Sequence, residues 1–143
     1  WMFFYNKEKF SMAFAMVILS FYFYYITFIL FPVAGPQYYL PYPDNFVGDA
    51  GIFRKLVKLA EAIGEGPTAA FPSSHVGVIA IILYMSFKDA RKLFWIMLPV
   101  SIILFFSTVY LKAHYLIDVF GGFISAALLY LICKYIIIKS KMS

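Results

Sequence analysis

Residues 11–31 contain no charged side chain, and this run of 21 residues is the feature that most constrains the fold. A helix rises 1.5 Å per residue, so a run of this length crosses the roughly 30 Å hydrocarbon core of a bilayer. Three further apolar runs follow in the chain. Only 13% of the residues are charged, whereas a soluble domain carries about 25%. We therefore predict an all-α integral membrane bundle with four spanning helices at about 11–31, 72–87, 94–111 and 119–138.

The segment between the first two predicted helices, residues 32–72, has a different composition. It contains six of the seven prolines together with polar and charged residues, so we predict a long loop there. Within it, residues 50–63 show helical periodicity, with Ile52 and Leu56 on one face and Lys55 and Lys58 on the other. This pattern predicts a short amphipathic helix on the membrane surface. The alternative is a lid that packs on the bundle without contacting lipid.

The distribution of basic residues predicts the orientation of the bundle. The short loops and chain ends on one side carry most of them: Lys7, Lys9, Lys88, Arg91, Lys92, Lys134, Lys139 and Lys141, against Glu8 and Asp89. The loop at 32–72 is nearly balanced. Because basic residues in short loops favour the cytoplasm, we predict a multi-pass protein of the cell membrane whose loop faces the extracytoplasmic side. The basic residues form no stripe with interleaved aromatic side chains, so nucleic acid is not an expected partner.

Both histidines of the chain lie at the ends of predicted helices on the loop side. Phe71-Pro72-Ser73-Ser74-His75 is typical of a helix start, with Pro72 at the first helical position. The backbone N–H groups that follow it would lack intrahelical partners and would form an anion site. In the second segment, His114 and Asp118 are four residues apart, which places them on one face of a helix. A carboxylate there can hold one imidazole nitrogen protonated and leave the other as a nucleophile, and His75 can donate a proton. This set of groups favours phosphoryl transfer.

Three other interpretations of these residues stay open from the pattern alone. His114 and Asp118 can be a structural pair that ties two helices together, since a carboxylate inside a bilayer helix needs a partner. His75 can be part of a capping cluster at the headgroup level. His75, His114 and Asp118 would supply three metal ligands, but no His or Cys pair has the usual ligand spacing. No metal or other cofactor is expected.

The same residues resemble a known family. Pro72-Ser73-Ser74-His75 resembles the P-S-x-H signature of the type 2 phosphatidic acid phosphatase superfamily, the membrane lipid phosphatases related to vanadium haloperoxidases. Residues 107–118 resemble its S-R-x5-H-x3-D signature, with Ser107, His114 and Asp118 in register. The resemblance covers about 11–138 and corresponds to the last four helices of a six-helix core. It implies one phosphatase-like domain over 1–143 that is incomplete at its N-terminal side, consistent with a start at Trp1 within an apolar stretch.

The resemblance implies a role for each matching residue. His114 would be the nucleophile that forms a phosphohistidine, Asp118 would orient it, and His75 would protonate the leaving oxygen. Ser73 and the amide of Ser74 would hold phosphate oxygens. The substrate would be a lipid phosphate or diphosphate at the extracytoplasmic face, with membrane lipids as the other partners.

The chain also departs from the family pattern. Thr108 occupies the position of the family's arginine, and the family's first motif, K-x6-R-P, has no clear match after the first helix. The transition state of phosphoryl transfer needs cationic or dipolar stabilisation. We expect Lys112 to supply it, or basic residues of the loop, namely Arg54, Lys55 and Lys58. Two alternatives to a phosphatase remain: a transferase to a lipid alcohol, similar to inositol phosphorylceramide synthases, and a non-catalytic protein that binds phospholipid headgroups.

Overall fold

A computed structural model of the chain describes residues 6–40, 59 and 69–142. Within these residues the fold contains no β-strand and has four α-helices: α1 (Lys7–Leu30), α2 (Ser74–Asp89), α3 (Arg91–Tyr110) and α4 (Leu116–Met142). A short 3-10 helix, Pro36–Tyr38, follows α1. The predicted all-α class and the four helices are confirmed. Three stretches are long and apolar enough to cross a membrane: Lys7–Leu30, Arg91–Tyr110 and Leu116–Ile137.

The second helix has the predicted length of 16 residues but is shifted by two residues along the chain. It begins at Ser74 rather than Pro72, because Ser73 is the N-cap and its Oγ accepts the Val76 N–H at 3.4 Å. A serine N-cap satisfies an otherwise orphaned donor, which proline at the first helical position does not do. With 16 residues, α2 is shorter than a full bilayer span. The third helix continues through Pro99 from Arg91 to Tyr110.

α2 is the central helix of the bundle. It packs against α1, α3 and α4, and α1 also packs against α4. Seven of its 16 residues are buried, whereas Ser101 is the one fully buried residue of α3. The core between α1, α2 and α4 consists mainly of apolar side chains: Met16, Tyr24, Val78, Ile81, Met85, Ala126, Leu129 and Cys133. Because its surroundings are protein, α2 does not need the length or the uniformly apolar surface of a lipid-exposed helix.

Tyr24 of α1 is the largest fully buried side chain of this core. Its hydroxyl lies 2.8 Å from Ser125 Oγ of α4, and Ser125 in turn donates to the Gly122 carbonyl at 2.9 Å. The phenol ring occupies the space beside Gly77 of α2, where an added Cβ would lie 1.7 Å from the Tyr24 hydroxyl oxygen. The absence of a side chain at Gly77 therefore lets one aromatic residue of α1 reach across α2 to α4.

The two ends of the bundle are held by different interactions. At the end where α1 begins and α2 finishes, Lys9 forms an ion pair with Asp89, and the Arg91 guanidinium stacks 4.3 Å from the Phe87 ring centroid. At the opposite end, backbone groups join the segments that connect the helices. Ala70 N–H donates to the Val33 carbonyl at 2.9 Å, and Gln37 N–H donates to the Lys112 carbonyl at 3.0 Å. Both histidines lie at this second end, as expected.

The predicted amphipathic helix at 50–63 lies outside the described residues except for Leu59, which is helical and exposed. The same holds for Arg54, Lys55 and Lys58, three of the cations expected to neutralise a phosphate.

Candidate active site

His114 lies in the turn between α3 and α4, not within a helix as the four-residue spacing suggested. The turn begins after Tyr110, and Lys112 has a φ of 55°, in the left-handed region that L-residues seldom adopt. His114 N–H then donates to the Thr108 carbonyl at 3.1 Å, which fastens the turn to the last residues of α3. This geometry directs the His114 side chain inward, and the residue is only 4% exposed.

The imidazole of His114 is oriented by a backbone carbonyl. Its Nδ1 lies 2.8 Å from the carbonyl oxygen of Ala70, which immediately precedes Phe71 and the N-terminus of α2. Because a carbonyl oxygen only accepts hydrogen bonds, Nδ1 carries the proton and the neutral ring keeps its lone pair on Nε2. This is the tautomer that a nucleophilic histidine requires. Nε2 is itself buried, so a phosphate reaches it only when neighbouring groups move.

Asp118 lies near His114 but makes its shorter contact elsewhere. Its Oδ2 is 3.7 Å from His114 Nδ1, beyond hydrogen-bond range but close enough for charge to act. The same oxygen accepts the N–H of Tyr115 at 2.7 Å. Tyr115 precedes the first residue of α4 and Asp118 is the third, which is the arrangement of an acidic residue that caps its own helix start. Asp118 therefore shapes the turn that carries His114 and also places a carboxylate beside the ring.

The N-terminus of α2 is attached directly to the start of α4. Ser73, which is fully buried, donates its backbone N–H to the Asp118 carbonyl at 3.1 Å. The close approach depends on Gly122, where an added Cβ would lie 2.8 Å from the Ser73 carbonyl oxygen and 2.9 Å from Val76 Cβ. The close contact at Gly122 thus brings the two histidine segments together.

His75 and His114 face each other across this junction. Their ring centroids are 5.9 Å apart, and the rings meet edge to face at 63°. His75 is exposed, whereas His114 is buried. One imidazole therefore faces the surroundings and the other lies behind it, an order that suits a proton donor at the surface and a nucleophile beneath it.

The residues expected to bind phosphate differ in their hydrogen-bond partners. Ser74 is the first residue of α2 and, like His75, has no intrahelical acceptor for its backbone N–H. The hydroxyls of Ser107 and Thr108 donate to the carbonyls of Leu104 and Phe105 in their own helix, each at 2.8 Å. The Lys112 ammonium donates to the Leu40 carbonyl at 2.9 Å. Their roles in phosphate binding stay predictions.

Comparison with known proteins agrees with this arrangement. A family model described as the PAP2 superfamily matches residues 1–132 of the 143-residue chain. The chain belongs to the PAP2 superfamily. No curated protein and no solved structure gives a significant match. Membership in this superfamily supports a phosphatase-like, lipid-related function, and together with the three apolar helices it indicates a membrane protein.

Sequence reasoning missed two parts of this PAP2 superfamily site. The Ala70 carbonyl is a backbone group, so no side chain in the sequence marks it. The helix cap formed by Asp118 did carry a signal, because an acidic residue three positions after a helix N-cap is a known capping pattern. Sequence reasoning paired Asp118 with His114 alone and overlooked the Tyr115 N–H. Among the described residues, no group of three or more His, Cys, Asp or Glu side chains is placed to hold a metal ion.

Proposed function

We propose that this PAP2 superfamily member is a metal-independent lipid phosphatase that acts through a phosphohistidine at His114. The observation that carries the proposal is the pair of imidazoles, 5.9 Å apart, with the Nδ1 of His114 held by a carbonyl acceptor. That arrangement leaves Nε2 of His114 as the nitrogen that attacks phosphorus.

In the proposed reaction, Nε2 of His114 attacks the phosphorus of a phosphomonoester or diphosphate lipid. The bond from phosphorus to the leaving oxygen breaks, and His75 gives that oxygen a proton. Water then attacks the phosphorus and gives a proton to His75, the bond from phosphorus to Nε2 breaks, and phosphate leaves. The Asp118 carboxylate stabilises the positive charge that develops on the His114 ring, because the two groups are 3.7 Å apart in a buried site.

The backbone N–H groups at the N-terminus of α2 support the proposal as a phosphate cradle. A helix N-terminus attracts anions through its free N–H groups and its dipole. In this chain Ser74 and His75 hold that position, and both precede the first intrahelical hydrogen bonds. We propose that these amides bind the equatorial oxygens of phosphate, with Lys112 as the nearest candidate cation in sequence to His114.

We further propose that the site faces the extracytoplasmic side. The end of the bundle opposite the histidines carries Lys7, Lys9, Lys88, Arg91 and Lys92. Basic residues concentrated in short loops favour the cytoplasm. A lipid substrate would then diffuse laterally in the outer leaflet to reach the histidine end.

The proposal is tested with the purified full chain in detergent micelles. We expect it to release phosphate from a lipid phosphate in the presence of EDTA, with inhibition by vanadate. His114→Ala should reduce turnover by at least about a thousandfold, as expected for loss of a nucleophile. Phe106→Ala, on the exposed face of α3, is the matched control and should keep wild-type turnover. Full activity of His114→Ala would refute the assignment of the nucleophile.

A second variant separates the roles of the two histidines. His75→Gln should lose activity on a lipid phosphate, whose alkoxide leaving group needs a proton. It should keep far more activity on an aryl phosphate whose leaving group departs without one, since general acid catalysis contributes about 10²–10⁴-fold only where a proton is needed. Equal losses on both substrates would contradict the proton-donor role.

The product of the reaction distinguishes hydrolysis from transfer. With diacylglycerol, ceramide or polyprenol added, a transferase would form a new phosphorylated lipid in place of free phosphate. Lipid binding that survives both His75→Ala and His114→Ala, with no turnover of any phosphate ester, would instead identify a non-catalytic binding protein.

A further inference from the structure

We infer that the Ala70 carbonyl, rather than the Asp118 carboxylate, is the group that fixes the tautomer and orientation of His114. The effect of this contact on catalysis rests on the proposed function, whereas its effect on the tautomer of the His114 ring does not. Ala70 is a positioning residue, since it acts on the nucleophile and not on the substrate. Its carbonyl oxygen is 2.8 Å from Nδ1, and the nearest Asp118 oxygen is 3.7 Å away.

The distances decide between the two acceptors. Hydrogen bonds from N–H to oxygen lie mostly between about 2.7 and 3.2 Å, and a separation of about 3.6 Å or more is not one. The Asp118 oxygen nearest the ring accepts the Tyr115 N–H at 2.7 Å, so its short hydrogen bond is to the start of α4 and not to the ring. Asp118 thus acts on the imidazole mainly through charge, and the directional contact comes from Ala70.

The Ala70 carbonyl is itself held in place by the segment that follows α1. Ala70 N–H donates to the Val33 carbonyl at 2.9 Å, and Val33 pairs with Ala69 in an isolated parallel bridge. Two hydrogen bonds in series therefore link Val33, through Ala70, to the His114 ring. Ala70 is only 4% exposed, so water does not compete readily for its carbonyl.

The same segment also packs closely against the backbone beside His114. Gly35 lies so close to the turn that an added Cβ would be 2.7 Å from the Ala113 carbonyl oxygen. Gln37 N–H donates to the Lys112 carbonyl at 3.0 Å. Residues 33–37 therefore contact the nucleophile's ring through Ala70 and its backbone through Lys112 and Ala113. We assign these residues the function of a clasp that positions His114.

A single-atom change tests the carbonyl directly. Phenyllactic acid in place of Phe71, introduced into the full chain by nonsense suppression, turns the Ala70–Phe71 amide into an ester. An ester carbonyl is a weaker acceptor than an amide carbonyl, and no side chain changes. Phenyllactic acid in place of Phe14, an exposed residue of α1 near the end opposite the histidines, is the matched control.

The first measurement is the nitrogen NMR spectrum of the histidine rings, recorded without substrate. The chain has only two histidines, and His75→Gln assigns the signals. We expect the Nδ1–H form of His114 in the wild type, in Asp118→Asn and in the control ester, and a mixture of tautomers in the ester at position 71. An unchanged tautomer in that ester, or an equal change in Asp118→Asn, overturns the inference.

The second measurement is turnover of a lipid phosphate. The ester at position 71 should lower kcat about five- to tenfold, as expected for a weakened hydrogen bond, and leave KM within about twofold. Gly35→Ala should act in the same direction by displacing the clasp from the Ala113 carbonyl.

The two measurements separate failure of the inference from failure of the proposed function. If the ester at position 71 shifts the tautomer but the wild type releases no phosphate, the proposed phosphatase function is wrong and the positioning role of Ala70 stands. Normal turnover with an unshifted tautomer in the ester would remove the positioning role and leave the phosphatase.

Discussion

At the scale of single residues, the Asp118 carboxylate interacts with two different groups, the Tyr115 N–H and the His114 ring. It is 1% exposed and accepts the Tyr115 N–H at 2.7 Å, while His114 Nδ1 lies 3.7 Å from the same oxygen. Its backbone carbonyl also accepts the Ser73 N–H. One residue therefore contacts the start of α4 and the start of α2, and it also places a negative charge beside the His114 ring.

Substitution of Asp118 should separate the capping task from the charge. Asp118→Asn keeps an oxygen that can accept the Tyr115 N–H, so we expect little change in the free energy of unfolding. Asp118→Ala loses the cap and should lower that free energy by about 1 kcal/mol. Thermal unfolding of the detergent-solubilised chain measures both variants. Equal destabilisation by Asn and Ala would show that the cap contributes nothing.

The sequence predicts the residues of the site better than it predicts their contacts. His75, His114 and Asp118 are ionisable groups at the ends of apolar runs, and such groups are rare enough in membrane helices to be conspicuous. The acceptor that holds the His114 ring is a backbone carbonyl, and every residue has one. Its selection depends on the fold of the segment at 69–72, which no local pattern specifies.

At the scale of helices, Gly77 and Gly122 let α2 approach its neighbours closely. Gly77 accommodates the Tyr24 side chain, and Gly122 accommodates the Ser73 carbonyl and Val76. Small residues at helix contacts in membranes allow this kind of packing. The contact at Gly122 brings the start of α2, and with it His75, close to α4 and His114.

Adding a methyl group at Gly77 should therefore destabilise the bundle. The new Cβ would lie 1.7 Å from the Tyr24 hydroxyl oxygen, and that side chain is buried with little room to move. We expect Gly77→Ala to lower the free energy of unfolding by about 1–3 kcal/mol, as overpacked cores do. Ala127→Val, on the exposed face of α4, adds methyl groups without a clash and is the control.

A second substitution checks the cause of that loss. Tyr24→Ala in the Gly77→Ala background removes the clashing ring, so the two changes together should cost less than the sum of their separate effects. Strictly additive losses, measured by the same thermal unfolding, would exclude contact between Tyr24 and position 77 as the cause.

Helix positions were predictable because a spanning helix leaves a long uncharged run, whereas the internal arrangement was not. All four predicted helices exist, with ends that differ by a few residues. Tyr24, however, lies in the run at 11–31 among aromatic residues that mostly face outward, and its sequence context does not distinguish it from Tyr22 or Tyr25. Its burial follows from Gly77, which is distant in sequence.

At the scale of the whole molecule, the chain places its histidines at one end and most of its basic residues at the other. The Lys9–Asp89 ion pair and Arg91 mark one end, and the clasp at 33–37 marks the other. The charge asymmetry that predicted the orientation is thus a property of the folded bundle.

The proposed orientation is tested with single cysteines in a Cys133→Ala background. Tyr39→Cys lies at the histidine end and Lys88→Cys at the basic end, and both native residues are exposed. On intact cells, a membrane-impermeant maleimide should label Tyr39→Cys and spare Lys88→Cys until the membrane is permeabilised. The reverse pattern would overturn the orientation and leave the catalytic proposal untouched.

The short length of α2 has a consequence for how substrate meets this protein. Lys9 and Asp89 align the first turn of α1 with the last turn of α2, yet α2 has 16 residues and α1 has 24. At 1.5 Å per residue, the N-terminus of α2 therefore falls about 12 Å short of the C-terminus of α1. His75, on the first turn of α2, thus lies below the level of the α1 C-terminus. The proposed lipid substrate would have to bring its headgroup to that depth, so we expect faster turnover in bilayers with shorter acyl chains than in thick ones.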